Sequence, residues 1–311
     1  MDFDSSIYVA GHNGLVGSAL VRALKMNGYR NVITVEKTRL DLRNQMSVRR
    51  FFAIQKPEYV FLAAAKVGGI NYNKNYPADF IYDNLAIQTN VIHSAYENKV
   101  KKLMFLGSAC IYPKVTEQPI KEEYLLTSPL EETNEGYALA KIVGLKMCQK
   151  YREQYGFNAI SVMPANLYGL NDNFNIDECH VIPAMIYKFY DAKISNKKGV
   201  TLFGDGSPTR EFIHVDDLAD ALIFLMKNYN DSDHINIGSG KEYSIKELAE
   251  IVAKVVGYTG DIIWDITKPN GTPRRKLDTS KLNSLGWSAS IELESGIDDT
   301  YGWFLENNDY L

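Results

Sequence analysis

The chain has 311 residues, 45% of them hydrophobic and 23% charged, with a formal net charge of −4, which is long enough for one large domain with an appendage or for two domains. The acidic balance argues against nucleic-acid or membrane-surface partners, and no apolar run approaches the roughly 20 residues of a membrane span. The opening Met1-Asp2-Phe3-Asp4 lacks the basic start of a secretory signal, so a cytoplasmic protein is expected. Cys110, Cys148 and Cys179 are too scattered for a disulfide framework, and no Cys-x-x-Cys or His-x-x-x-His spacing suggests a metal.

In chain order, Ser6-Ile7-Tyr8-Val9-Ala10 reads as a strand, followed by Gly11-His12-Asn13-Gly14-Leu15-Val16-Gly17 and a helical pattern through Leu24. Strand, glycine turn and helix in that order make a dinucleotide-binding unit. The first glycine permits the turn, the second admits a pyrophosphate, and the third lets helix pack on strand. A second strand is predicted over 31–36, ending in Glu36, where a carboxylate takes the ribose hydroxyls of NAD. Lys37 and Arg39 follow, and either suits the 2′-phosphate of NADP, so the cofactor signal is split.

A helix from Gln45 to Gln55 is halted by Pro57, and the apolar run 59–65 reads as a parallel strand covered on both faces. It ends in the loop Lys66-Val67-Gly68-Gly69-Ile70. A long helix follows from Ala78 to about Asn98, then a fourth strand over 102–107 that delivers Ser108-Ala109-Cys110 to the same sheet edge. The helix from Tyr137 to Tyr155 carries Tyr137 and Lys141 one turn apart on one face. A cation beside a phenol lowers its pKa from about 10, and such a pair can pass a proton to a substrate oxygen. Alone, this spacing more commonly means a packed tyrosine and a solvated lysine.

The fifth strand, 159–163, ends in Pro164-Ala165-Asn166-Leu167-Tyr168-Gly169. Alternation of strands and helices argues a doubly wound parallel α/β sheet (Rossmann). Beyond it the alternation loosens. The domain expectation is a dinucleotide-binding domain over 1–165, with 211–240 returning to it, and a smaller substrate lobe formed by 166–210 and 241–311.

Gly11-x-x-Gly14-x-x-Gly17, Ser108 and Tyr137-x-x-x-Lys141 resemble the extended short-chain dehydrogenase/reductases. Longer stretches resemble the GDP-L-fucose synthase family in particular: Ala63-Ala64-Ala65-Lys66-Val67-Gly68-Gly69-Ile70, Tyr76-Pro77-Ala78-Asp79-Phe80-Ile81-Tyr82, Phe105-Leu106-Gly107-Ser108-Ala109-Cys110-Ile111-Tyr112-Pro113-Lys114, the stretch 164–169, His180-Val181-Ile182-Pro183-Ala184, Arg210-Glu211-Phe212-Ile213-His214-Val215-Asp216-Asp217 and Lys268-Pro269-Asn270-Gly271-Thr272-Pro273-Arg274. The likeness spans almost the whole chain.

The resemblance implies an enzyme that inverts C3 and C5 of GDP-4-keto-6-deoxymannose and then reduces the C4 ketone with NADPH. It implies Ser108 and Tyr137 as donors to O4, Lys141 holding the phenol's pKa down and binding the nicotinamide ribose, and Cys110 and His180 as base and acid of epimerisation. It also places cofactor on Ala64, Pro164, Asn166, Leu167 and His180 besides the glycine loop. GDP falls on Asn166, Val181, Lys188, Phe203, Arg210 and the segment near Arg274, with Arg275 and Lys276 undecided. NADP(H) is the expected cofactor. Asn13, where members often carry an arginine, and Glu36, which repels a 2′-phosphate, leave NAD(H) open. Relatives acting on GDP-4-keto heptoses, with or without epimerisation, form the alternative, and a 4-epimerase or dehydratase recycling NAD is a remoter one. A homodimer through the helices near 78–98 and 137–155 is expected.

Overall fold

The computed structural model describes residues 1–268 and 270–307 and, at Ile70 and Asn71, the backbone only; Pro269 and residues 308–311, which belong to stretches singled out above, lie outside the described residues. The first half alternates strand and helix: β1 (Ile7–Ala10), α1 (Leu15–Met26), β2 (Val32–Ile33), α2 (Gln45–Gln55), β3 (Tyr59–Leu62), α3 (Ile70–Asn75), α4 (Pro77–Glu97), β4 (Lys102–Leu106), α5 (Glu135–Tyr155) and β5 (Ala159–Pro164). After β6 (Asn166–Tyr168) come α6 (Val181–Ile194), β7 (Gly199–Phe203), β8 (Thr209–His214), α7 (Val215–Asn228), β9 (Ile235–Ile237), β10 (Glu242–Ser244) and α8 (Ile245–Val256). The chain closes with β11 (Asp261–Asp265), β12 (Arg274–Arg275), α9 (Ser280–Ser284) and α10 (Leu293–Asn307).

The main sheet has the order β2-β1-β3-β4-β5-β9, all parallel. Strands β1, β4 and β5 are buried at every position, because helices cover both faces of such a sheet. The order turns back at β1 and β3, so the carboxyl ends of these strands form the crevice in which doubly wound sheets bind ligands. Local chemistry sets the helix ends: the Asn44 side chain accepts from Ser47 N at the start of α2, and Lys56 in the left-handed region stops it before Pro57.

Two apolar cores result. One lies around the main sheet and includes residues of α7 and β9; the other joins α6, α8 and α10 over the short strands. Leu277, Leu282 and Trp287 pack in the sheet core. The segment after β12 therefore crosses back from the smaller lobe to the main sheet.

Candidate active site

At the first crevice, Gly11 has a φ of +86°, and a Cβ there would lie 2.7 Å from the backbone of Ala64. A Cβ on Gly17 would lie 2.0 Å from the Gly11 carbonyl oxygen. Both glycines are thus required by close backbone approach. Gly14 caps α1 without a side-chain hydrogen bond, and the first helical bond is Ser18 N to Gly14 O at 2.9 Å. The N–H groups of Leu15, Val16 and Gly17 open the helix and suit a pyrophosphate, which the helix dipole also favours. The residues fit a dinucleotide on this ground.

β2 ends at Ile33, three residues short of Glu36, as an edge strand whose continuation turns through an Arg39 N to Glu36 O bond of 2.9 Å. Glu36 still arrives at the glycine loop: its Oε2 accepts from Asn13 Nδ2 at 2.7 Å and its Oε1 lies 3.2 Å from His12 Nε2. Lys37 and Arg39 are exposed nearby. His12 was not singled out by sequence; its place inside the glycine motif was the available signal.

At the end of β4, a single 3-10 turn of Ala109–Ile111 follows Ser108. Ser108 Oγ accepts from Cys110 N at 3.3 Å, so its own hydrogen is free to turn toward the nearby Tyr137 phenol. Burial, and then the neighbouring Cys110, push the Tyr137 phenol above its ordinary range, while Ser108 pulls it down. Ser108, Cys110 and Tyr137 therefore share one small space, although they come from β4 and α5.

The expectation that Lys141 lowers this phenol is corrected. Its Nζ donates to Leu106 O at 2.7 Å and sits 5.8 Å from the centre of the Tyr137 ring and 5.0 Å from that of Phe105. Burial pushes the ammonium itself down to about 7. Desolvation dominates both groups, leaving a neutral phenol and an amine poised near neutrality.

His180 is the N-cap residue of α6, and its ring is accessible although protein surrounds it closely enough to lower its pKa by desolvation. Its loop is tied to the sheet edge by Gly69 N donating to Glu178 O at 2.6 Å, and a Cβ on Gly69 would lie 2.7 Å from Cys179 O. The Gly68-Gly69 pair thus brings the loop of one lobe onto the other. Among the described residues no group of three or more His, Cys, Asp or Glu could hold a metal ion.

Of the residues expected to hold GDP, Val181 opens α6, and Lys188 Nζ lies 5.2 Å from the centre of the Phe203 ring, which is 61% exposed. That makes a flat apolar shelf with a cation beside it. Asn166 Nδ2 donates to Glu211 O at 2.8 Å, joining β6 to β8, and Pro164 and Leu167 flank it at the carboxyl end of β5. Arg210 is half-buried, and its Cα partner across β8 and β12 is Arg275. Arg274, expected at GDP, makes a two-pronged pair with Glu242 at 2.8 and 2.5 Å. Neighbouring strand residues point to opposite faces, which separates the two arginines.

The family profile described as the NAD dependent epimerase/dehydratase family matches residues 7–238. The chain is 57% identical over 306 residues to GDP-L-fucose synthase 1 of Arabidopsis thaliana, covering 98% of this chain and 95% of that protein. It is similar to the structure of a GDP-L-fucose synthetase from Naegleria fowleri bound to NADP, with a TM-score of 0.92 and 29% identity over 100% of this chain and 97% of that one. It is also similar to a GDP-mannoheptose C4 reductase from Campylobacter jejuni with NADP bound, with a TM-score of 0.91 and 42% identity over 98% and 99% of the two chains.

Proposed function

The chain belongs to the NAD dependent epimerase/dehydratase family, among its GDP-L-fucose synthases, and from that premise we propose that it inverts C3 and C5 of GDP-4-keto-6-deoxymannose and reduces C4 to give GDP-L-fucose. NADP(H) is the cofactor; when bound, its nicotinamide supplies the hydride. The observation that carries the reading is the convergence of Tyr137, Ser108 and Cys110.

The C3 and C5 hydrogens are α to the C4 carbonyl, so removing either leaves an enolate with its charge on O4. Ser108 and Tyr137 donate to that oxygen and stabilise the charge. Cys110 takes a proton from one ring face and His180 returns one to the other, roles that a thiolate and an imidazolium can fill. Desolvation lowers the pKa of His180, which makes its imidazolium a stronger acid but a scarcer one at neutral pH. In reduction, O4 takes the proton of Tyr137, which burial keeps on the phenol at neutral pH. Lys141 stands behind the ring and offers its ammonium to the nicotinamide ribose. Arg210 and the Lys188–Phe203 shelf receive diphosphate and guanine.

The reading includes a cytoplasmic homodimer. The free cysteines suit a reducing compartment. Helices α4 and α5 pack on each other and carry exposed Tyr82, Leu139 and Val143, an apolar face that a second copy would cover. A second reading, C4 reduction of a GDP-4-keto heptose, is favoured by the likeness to the heptose reductase.

The test is product identity. With GDP-4-keto-6-deoxymannose and NADPH the unmutated protein yields GDP-L-fucose, and Cys110→Ala consumes NADPH but yields the sugar with C3 and C5 not inverted. GDP-L-fucose from Cys110→Ala at the unmutated rate would remove the thiol from the mechanism.

A further inference from the structure

Arg275 reaches out of the smaller lobe to the backbone that presents Cys110. Its Nη2 donates to Ala109 O at 2.9 Å and to Tyr112 O at 3.0 Å. These two carbonyls bracket the thiol, one residue before it and two after; within the turn Ala109 O accepts only a long bond from Tyr112 N, at 3.3 Å. Beyond the bracket the chain is fixed as well: Tyr112 is fully buried and its hydroxyl donates to Asn236 Oδ1 at 2.5 Å. Upstream, Ser108 holds Cys110 N. A guanidinium with two bonds from one nitrogen ties the two carbonyls to each other and limits their tilt.

Arg275 also faces Arg210 across the β8–β12 pair. We infer that Arg275 is a positioning residue for epimerisation, locking the Cys110 turn in register with the strand pair that carries Arg210, so that a nucleotide diphosphate seated on Arg210 sets the sugar ring at a fixed height over the thiol. The inference rests on the reading of Cys110 as the base. Hydride delivery depends on Tyr137 and Lys141, which α5 carries, and neither of them bonds to the Ala109 or Tyr112 carbonyl that Arg275 holds. Loss of Arg275 therefore separates the two half-reactions, whereas loss of a plain nucleotide ligand weakens both together.

The experiment uses the full chain with saturating GDP-4-keto-6-deoxymannose. Deuterium uptake at C3 and C5 in D₂O without NADPH is measured beside NADPH oxidation, for the unmutated protein, Arg275→Met and Arg275→Lys. Displacement of a reacting group by an ångström can cost about 100-fold. Arg275→Met is expected to lose about tenfold or more of the exchange at saturation, with NADPH oxidation within about threefold. Its reduced product then carries uninverted C3 and C5. Arg275→Lys, which keeps a cation within reach of the same carbonyls, restores most of the exchange. Alkylation of Cys110 by iodoacetamide, followed by peptide mass without any substrate, is expected to change in Arg275→Met and return in Arg275→Lys. Exchange and reduction falling in parallel through a raised KM would overturn the inference, as would unchanged exchange in Arg275→Met. Absence of exchange in the unmutated protein would instead sink the epimerase reading itself.

Discussion

Tyr137 and Lys141 show how burial decides what a spacing means. Four residues apart on α5, they suggest a phenol kept acidic by a cation. The folded chain buries both, so the phenol stays protonated and the ammonium is pushed down to about 7. Tyr137→Phe removes the proton donor and is expected to lower ketone reduction about 100-fold or more while cofactor still binds, as fluorescence titration with NADPH would check; near-normal turnover would assign the proton to another group. The lysine carries a cost in stability. Its folded pKa lies below its unfolded value of 10.5, so the unfolded chain binds more protons between about 7 and 10.5 and the penalty is complete below that window. Lys141→Met is accordingly expected to stabilise the cofactor-free protein by on the order of 1 kcal/mol or more at pH 6, with a gain that shrinks toward pH 10, and to lose reduction. Denaturant melts at both pH values check the sign. Glu36 belongs at this scale too. Anchored by Asn13, its carboxylate opposes a 2′-phosphate while Lys37 and Arg39 attract it. Glu36→Ala should raise the NADPH-over-NADH ratio of kcat/KM by about tenfold, or ~1.4 kcal/mol; an unchanged ratio would place the adenine ribose away from Glu36.

Among the elements, those with strong periodicity are legible in the sequence. The strand of Ile7–Ala10, the helix of Gln45–Gln55, the buried β4 and β5 and the helix carrying Tyr137 follow from apolar runs bounded by glycine, proline and caps. Strands β8, β10 and β12 are not legible, because they lack a continuous apolar run and their pairing is decided by contacts far apart in sequence. That is why the sequence leaves Arg275 undecided, although β12 sets it beside Arg210. Helix α3 was likewise hidden behind Gly68-Gly69 and an asparagine-rich stretch. Those glycines have a reason in packing. Gly69→Ala would drive a methyl group against Cys179 O, 2.7 Å away, and shift the loop that ends in His180. C3 and C5 exchange is expected to fall about tenfold or more, with NADPH affinity retained; full exchange would show that the loop absorbs the methyl group.

For the whole molecule, two cores meet over the carboxyl edge of one sheet. The elements around the sheet core carry the glycine loop, Ser108, Cys110, Tyr137 and Lys141, and those around the smaller core carry Arg210, Phe203 and the helix that His180 caps. One oxygen, O4, is the common target: it bears the enolate charge in epimerisation and receives the proton in reduction, which is why a single site serves both. The measurement that tests this most directly is to run GDP-4-keto-6-deoxymannose with NADPH in D₂O and locate the hydrogens of the product. GDP-L-fucose with deuterium at both C3 and C5 and the cofactor's hydrogen at C4 is the predicted result. A reduced sugar with no deuterium at C3 or C5 would contradict the account and leave a simple C4 reductase, in which Cys110 and His180 hold the ring without acting on it.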